Sequence, residues 1–304
     1  MAGDKENLTV YFNGEWVPWG DAKVHIYTPA VKYGAGVFEG ICAYKTPDGM
    51  SVFRLKEHLA RLEYSQRVMR FERIYTAADL TEPVLEVIRR NGFSETVHIR
   101  PTVYVDGIGE AGAPGPIGVA VTAVQRKRSA NTENGCRVQV SSWQRISDLS
   151  MPTRVKAHAN YNNSRFATTQ ARQDGYDTAL LMNAKGQVAE GPAMCFFMVR
   201  DGKVVTPSIT SSILESITRD TVLTLCREEL GMETVERDID RSELYAAEEA
   251  FFCGTAWEVT PINEIDGLAV GAGKPGPVVR NLQTAYFDLV EGRVADKRGW
   301  RTPV

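Results

Sequence analysis

Arg126-Lys127-Arg128-Ser129-Ala130-Asn131-Thr132-Glu133-Asn134-Gly135 is a polar run rich in turn formers, set between patterned stretches on either side. Such clusters favour loops, because short polar side chains offer the backbone alternative hydrogen bonds. We expect a linker over 128–135, a smaller N-terminal domain over 1–127 and a larger C-terminal domain over 136–304. A chain of 304 residues has room for two domains and for cores that need no staple.

Upstream of that run, Val10-Tyr11-Phe12-Asn13-Gly14-Glu15-Trp16-Val17 reads as a hairpin, since Asn and Gly tolerate the positive φ of its turn. Lys56 to Arg70 has helical spacing, with Leu55, Leu59 and Leu62 on one stripe. A second helix is expected from Ala77 to Arg90, with Thr76 as cap and Gly92 as stop. Thr96 to Val105 and Ile117 to Val124 have strand composition.

Downstream, Arg137 to Trp143 reads as a strand and Asn160 to Gln173 as a helix ended by Gly175. Thr178 to Met182 and Gln187 to Val199 flank an Asn183-Ala184-Lys185-Gly186 turn, and Asp201-Gly202 makes another. Ile217 to Leu230 is a helix stopped by Gly231, Ala250 to Ile262 a buried strand around Gly254, and Gly276 to Leu289 a last helix. The elements mix without a regular βαβ rhythm, which predicts two lobes of mixed α/β structure.

Composition narrows the function. Hydrophobic residues make up 43% and charged residues 24%, and the net charge is −3, so there is no basic excess to bind nucleic acid. Cys42, Cys136, Cys195, Cys226 and Cys253 form no CxxC pair, which fits a reducing compartment. No membrane-length apolar run exists and Met1 to Asn7 is polar, so the cytoplasm is the expected location. His25, His58, His98 and His158 are too dispersed for a metal motif. Gly-x-Ser-x-Gly is absent. Gly267 to Lys274 glances at a phosphate loop, but Pro275 follows the lysine where Ser or Thr should hold magnesium. Two GxGxxG matches, at Gly107 and Gly271, lack a following helix and a leading strand respectively, and read as loops.

Several stretches, in order along nearly the whole chain, carry a resemblance. They are Tyr11-Phe12-Asn13-Gly14, Tyr33-Gly34-Ala35-Gly36-Val37-Phe38-Glu39-Gly40-Ile41, Phe53-Arg54 through Arg61-Leu62, and Ile99-Arg100-Pro101. Further on come Lys156 through Asn160-Tyr161, Glu190-Gly191, Leu214 through Ile217-Thr218-Arg219, and Gly254-Thr255-Ala256. With these the chain resembles class IV aminotransferases, the fold-type IV group of pyridoxal 5′-phosphate enzymes, and within them the bacterial branched-chain amino acid aminotransferases. The resemblance implies a two-domain, D-amino acid aminotransferase-like fold with a smaller α/β lobe and a larger barrel-like lobe. It also implies a homodimer or higher oligomer acting on a small amino donor and a 2-oxo acid.

Transamination needs a lysine that holds an aldehyde as a Schiff base and then moves a proton, and it must be partly desolvated. The resemblance puts Lys156 in that role, with Tyr161 at the cofactor's phenolic oxygen. A carboxylate must keep the pyridine nitrogen protonated, and Glu190 matches that position. Phosphate needs backbone N–H groups and a cation; Leu214, Ile217, Thr218, Thr255 and Arg61 match. Read alone, Arg61 is a helix arginine with Glu57 as its i−4 partner. On the substrate side the resemblance places Tyr33, Phe38, Gly40, Arg100 and Ala256. Arg100 lies in a strand-like apolar run, so burial would demand an anion, either a substrate carboxylate or a fixed partner.

The departures concern the pocket walls. Branched-chain members commonly have Arg where Cys42 stands, Gly-x-Asn at Ala193-Met194-Cys195, Gly at Ser216 and Tyr at His98. An R-selective amine:pyruvate or D-amino acid transaminase, an aminodeoxychorismate lyase-like enzyme, and a non-catalytic cofactor-binding protein are the alternatives on the same fold.

Overall fold

The computed structural model describes residues 5–304. Contacts gather the chain into two units: Met1–Lys127 with Val155–Ala159 and Leu289–Val304, and Arg128–Arg154 with Asn160–Asp288.

The first unit contains β1 (Thr9–Phe12), β2 (Glu15–Pro18), α1 (Pro29–Tyr33), β3 (Gly36–Phe38), β4 (Ile41–Thr46), β5 (Gly49–Phe53), α2 (Leu55–Val68), α3 (Ala77–Arg90), β6 (Val97–Val105) and β7 (Ile117–Gln125). They build an eight-stranded sheet in the order Arg301–Pro303, β5, β4, β6, β7, β1, β2, with β3 beside β6. The β1–β2 hairpin turns as its sequence dictates, with Asn13 at φ 51° and Gly14 at φ 98°. Thr76 and Asp79 form a reciprocal cap that starts α3, and Gly92 takes φ 60° beyond its end. Leu55, Leu59 and Leu62 of α2 and Leu80, Val84, Val87 and Ile88 of α3 bury against Ile41, Ile99, Val119 and Val121 of the sheet. Val155 and Ala157 complete this core.

The second unit contains α4 (Ala130–Asn134), β8 (Cys136–Val140), α5 (Asn160–Gln173), β9 (Thr178–Leu180), β10 (Glu190–Gly191), β11 (Met194–Arg200), β12 (Lys203–Thr206), α6 (Ile217–Glu228), β13 (Thr234–Glu236), β14 (Glu249–Gly254), β15 (Glu258–Ile265), β16 (Leu268–Ala269) and α7 (Pro277–Val290), whose last turn passes into the first unit. Its nine-stranded sheet runs β13, β12, β11, β14, β15, β8, β9, with β10 beside β11 and β16 beside β15. Phe196, Met198, Ala250, Phe252 and Ile262 fill one face.

Three stretches differ from expectation. Gln187 to Val199 is not one strand: the chain folds back after Gly191, pairing Glu190 with Cys195 and Gly191 with Met194. Pro192, which has no N–H to give a ladder, lies in that turn. Ala250 to Ile262 is likewise two strands, β14 and β15, joined through Thr255-Ala256-Trp257. Within 128–135, Ser129 caps α4, and Gln283 donates from Nε2 to the Thr132 carbonyl at 2.6 Å. Polar side chains there serve as caps and helix surface as well as loop formers. Among the described residues no helix is long and apolar enough to cross a membrane, and no cluster of His, Cys, Asp and Glu suits a metal ion.

Candidate active site

In the first unit the segment around Lys156 pairs with β3. The Phe38 N–H donates to the Lys156 carbonyl at 3.0 Å, Val37 bridges Ala157, and the His158 N–H donates to the Gly36 carbonyl at 2.9 Å. The Lys156 N–H reaches Ser65 Oγ of α2 at 3.4 Å. Its backbone is thus held from a strand and a helix, while the side chain remains partly accessible. Lys156 Nζ lies 5.0 Å from the Phe38 ring centroid, and the Arg100 guanidinium carbon lies 4.5 Å from the same centroid. His158 stacks on that ring at 5.2 Å. Two cations this close to one ring repel each other, so an anion nearby is favoured.

Arg100 is exposed, not buried. Along β6 the side chains alternate: Val97, Ile99, Pro101 and Val103 face the core, and Arg100 takes the other face. An apolar run counted without its period of two hid this. Gly40 follows β3, and a Cβ there would sit 3.0 Å from His98 Nε2. His98 stands opposite Cys42 in the β4–β6 ladder. Tyr33 ends α1, is 44% exposed, and donates from its hydroxyl to Glu110 Oε2 at 2.7 Å.

Arg61 does not use Glu57, which instead accepts from Arg54 Nε at 2.7 Å. Its Nε and Nη2 donate to the two carboxylate oxygens of Glu39 at 2.7 and 2.8 Å. Glu39 is fully buried and also meets His58 Nδ1 at 2.8 Å. Burial pushes the Glu39 carboxyl up, but the Arg61 charge and the hydrogen bonds from Arg61 and His58 outweigh it and hold it well below the usual carboxylate range.

In the second unit Glu190 is buried on β10. The Leu214 N–H donates to its Oε2 at 3.1 Å. Arg145 Nε lies 2.9 Å from its Oε1, an ion pair without hydrogen-bond alignment, since that nitrogen is buried with no hydrogen-bond partner. Ser216 caps α6, its Oγ accepting the Arg219 N–H at 3.2 Å. The N–H groups of Ile217 and Thr218 open this helix, where no carbonyl of the helix can reach them. Thr255 and Ala256 lie in the β14–β15 turn. Gly254 brings that turn against the Glu190–Met194 hairpin, for a Cβ there would be 3.2 Å from the Ala193 carbonyl oxygen. Tyr161 is the second residue of α5 and half-buried.

The expected residues therefore gather around two centres. Lys156, Phe38 and Arg100 share one ring in the first unit. Glu190, Leu214 and the Gly254-Thr255 turn neighbour each other in the second. Three charged or titratable partners escaped the sequence reading: Glu39, His58 and Arg145. Glu39 was visible inside Phe38-Glu39-Gly40, as an acid flanked by buried positions. His58 lies one helical turn before Arg61. Arg145 sits in a stretch without periodicity, and nothing in the sequence marks it.

The family model described as amino-transferase class IV matches residues 36–265. A branched-chain-amino-acid aminotransferase of Salmonella typhimurium is 40% identical over 301 residues, covering 97% of each chain. A probable branched-chain-amino-acid aminotransferase of Aquifex aeolicus is 41% identical over 300 residues, 97% of this chain and 96% of that one. Among solved structures, the Escherichia coli branched-chain amino acid aminotransferase superposes with a TM-score of 0.93 at 38% identity, covering 97% of this chain and 98% of the other. The branched-chain amino acid aminotransferase of Thermobaculum terrenum, solved in its PLP-form, gives 0.91 at 40% identity, covering 98% of this chain and 99% of the other.

Proposed function

Because this chain belongs to the class IV aminotransferases, as one of their branched-chain-amino-acid members, we propose that it transfers the amino group between a branched-chain L-amino acid and a 2-oxo acid. It is a pyridoxal 5′-phosphate enzyme, and other solved branched-chain amino acid aminotransferases carry a phosphopyridoxyl adduct of L-glutamate or pyridoxamine 5′-phosphate. The residues present fit such a group. Arg145 Nε is buried without a hydrogen-bond partner beside the Glu190 carboxylate, and α6 begins with N–H groups that lie beyond the reach of its own carbonyls.

When bound, the cofactor supplies an aldehyde to take up the amino group and a pyridinium ring to accept the electron pair released at the substrate Cα. Lys156 Nζ would hold the aldehyde and, once displaced, take the proton from the substrate Cα and deliver it to the carbon that had carried the aldehyde. Glu190 would hold a proton on the ring nitrogen; Arg145 at 2.9 Å and the Leu214 N–H favour its ionised form. Arg61, Thr255 and the N–H groups of Ile217 and Thr218 would hold the phosphate, and Tyr161 the phenolic oxygen. Tyr33, Phe38, Gly40, Arg100 and Ala256 would border the substrate, with Arg100 attracting its carboxylate. The observation that supports this reading most is the placement of Lys156: main chain tied to β3 and α2, amine beside an aromatic ring with Arg100 close by.

The cytoplasm is the proposed compartment, supported by five buried cysteines that form no disulfide. A second copy of the chain is the proposed partner, supported by Ile26, Tyr27 and Val31, apolar side chains more than half exposed within one short stretch.

A substrate panel tests the proposal: L-valine, L-leucine, D-alanine and R-1-phenylethylamine as donors, with pyruvate or 2-oxoglutarate as acceptor. L-valine and L-leucine are expected to be the best donors. Inertness toward both, with turnover of D-alanine or the R-amine, replaces this reading by the second one, which Cys42 and His98 favour because they stand where branched-chain members commonly carry Arg and Tyr. Release of pyruvate without an acceptor would indicate a lyase.

A further inference from the structure

Glu39 is the most deeply buried acid near Lys156, and none of the roles assigned above uses it. It sits between Phe38, whose N–H donates to the Lys156 carbonyl, and Gly40. Its own N–H donates to the Pro101 carbonyl at 2.9 Å, so its main chain is fixed on both sides. Its carboxylate takes donors from one face of α2: His58 Nδ1 and, one turn on, Arg61 Nε and Nη2. Burial lowers the tendency of His58 to take a proton, despite the opposing pull of Glu39. A neutral His58 facing an acceptor-only carboxylate must carry its single proton on Nδ1.

A guanidinium has five N–H donors in a planar fork. The Glu39 carboxylate engages the side edge, formed by Nε and Nη2, and fixes the plane. The end edge, Nη1 with the outer Nη2 hydrogen, then points in one direction only. An ion pair buried for stability alone would gain little, because an apolar pair of equal volume does as well. A pair that fixes the direction of a cation has a use. We propose that Glu39 is a positioning residue for Arg61, presenting the end edge of its guanidinium to the cofactor phosphate in fixed register with Lys156. This rests on the reading that Arg61 meets that phosphate. The register comes from backbone: Glu39 follows Phe38, and Phe38 is bonded to Lys156 itself. The phosphate grip and the aldehyde anchor are thereby joined through two consecutive residues of one strand end.

The test uses the full chain, stripped of cofactor and titrated with pyridoxal 5′-phosphate and with pyridoxal, which has the aldehyde but no phosphate. Binding is read from the visible absorbance that appears on binding. Glu39→Gln is expected to weaken the phosphorylated aldehyde at least about tenfold, the loss of one charged hydrogen bond, and to leave pyridoxal within about twofold. Equal weakening of both means a merely structural role and overturns the proposal; so does no change in either, or tighter phosphate binding. If Glu39→Gln does not fold, Glu39→Asp carries the same expectation, since its shorter carboxylate keeps the charge but cannot span Arg61 and His58 together. Arg61→Lys, which retains the charge and loses the fork, separates the two levels. If it keeps the wild-type preference for the phosphorylated aldehyde, Arg61 does not meet the phosphate and the underlying reading fails. If it loses that preference while Glu39→Gln retains it, only the role of Glu39 fails.

Discussion

Phe38 and Lys156 are joined through the main chain at 3.0 Å, and the Phe38 ring also lies 5.0 Å from the lysine amine. The same residue thus fixes where the lysine begins and borders where it ends. Because the anchoring bonds are backbone bonds, the side chain can be removed without disturbing them. Lys156→Ala is expected to lose the bound cofactor's visible absorbance and at least about 10³-fold in turnover. Its unfolding midpoint should stay within about 1 kcal/mol of wild type. Turnover at the wild-type rate would show that another residue is the base.

Gly36 faces His158 across the same pairing. A Cβ at residue 36 would lie 2.7 Å from His158 Nδ1 and 3.2 Å from Tyr104 Cβ. Neither neighbour is the end of a flexible chain, so one of them must shift. Gly36→Ala is expected to cost about 1–3 kcal/mol in urea unfolding and, by pushing the segment after Lys156, to lower kcat more than it raises KM. A variant with unchanged stability and kinetics would mean that the strand gives way freely.

The Arg145–Glu190 pair is buried on both sides, so losing either half is costly. Glu190→Gln keeps the acceptor for the Leu214 N–H but leaves the Arg145 cation without its anion; kcat should fall about 10²-fold or more and stability by about 3–5 kcal/mol. Arg145→Met leaves a buried carboxylate without its cation and is expected to cost about 3–5 kcal/mol as well. Thermal melts and single-turnover rates of both variants check this, and an unchanged melting temperature in either variant would contradict it.

Acid should weaken the fold in a defined window. Burial pushes the His98 imidazole down to about 4, with the charges of Arg126, Arg100 and Lys156 adding to it. Burial likewise pushes His158 down to about 4, with Arg100 adding. Both rings are neutral in the fold and protonate on unfolding below their ordinary 6.5. Between pH 6.5 and 4 the unfolded chain therefore binds more protons, so stability falls as pH is lowered through that range, by about 1–3 kcal/mol per ring. The depressed Glu39 carboxyl acts in the same sense lower down, its contribution being lost as pH drops below its ordinary 4.5. Urea midpoints at pH 7, 6 and 5 should decline, and His98→Phe should flatten the decline. A midpoint constant from pH 7 to 5 would rule out buried neutral rings.

Local rules were legible where one residue type has one physical job. Asn13-Gly14 turned its hairpin, Thr76 with Asp79 opened α3, and Asn160 to Gln173 ran as expected to Gly175. The misreadings share a cause: apolar runs carry no mark of where they reverse. Gln187 to Val199 and Ala250 to Ile262 are apolar on both sides of their turns, so burial hid the breaks at Pro192 and at Thr255-Ala256. At the site, motif residues were readable singly, but pairing was not. Glu39 with Arg61 and Glu190 with Arg145 are contacts between distant stretches, and only the fold brings such charges together.

The placement of Val155–Ala159 with the N-terminal unit has a bearing on synthesis. The first unit is interrupted twice: its lysine-bearing piece comes only after residues 128–154, and its edge strand, Arg301–Pro303 beside β5, only at the far end of the sequence. A nascent chain that has emerged through Lys127 still exposes the β5 edge and the Gly36 and Phe38 groups that later meet residues 156 and 158. It must wait, with a template for stray strand addition on display, until residues 289–304 have left the ribosome.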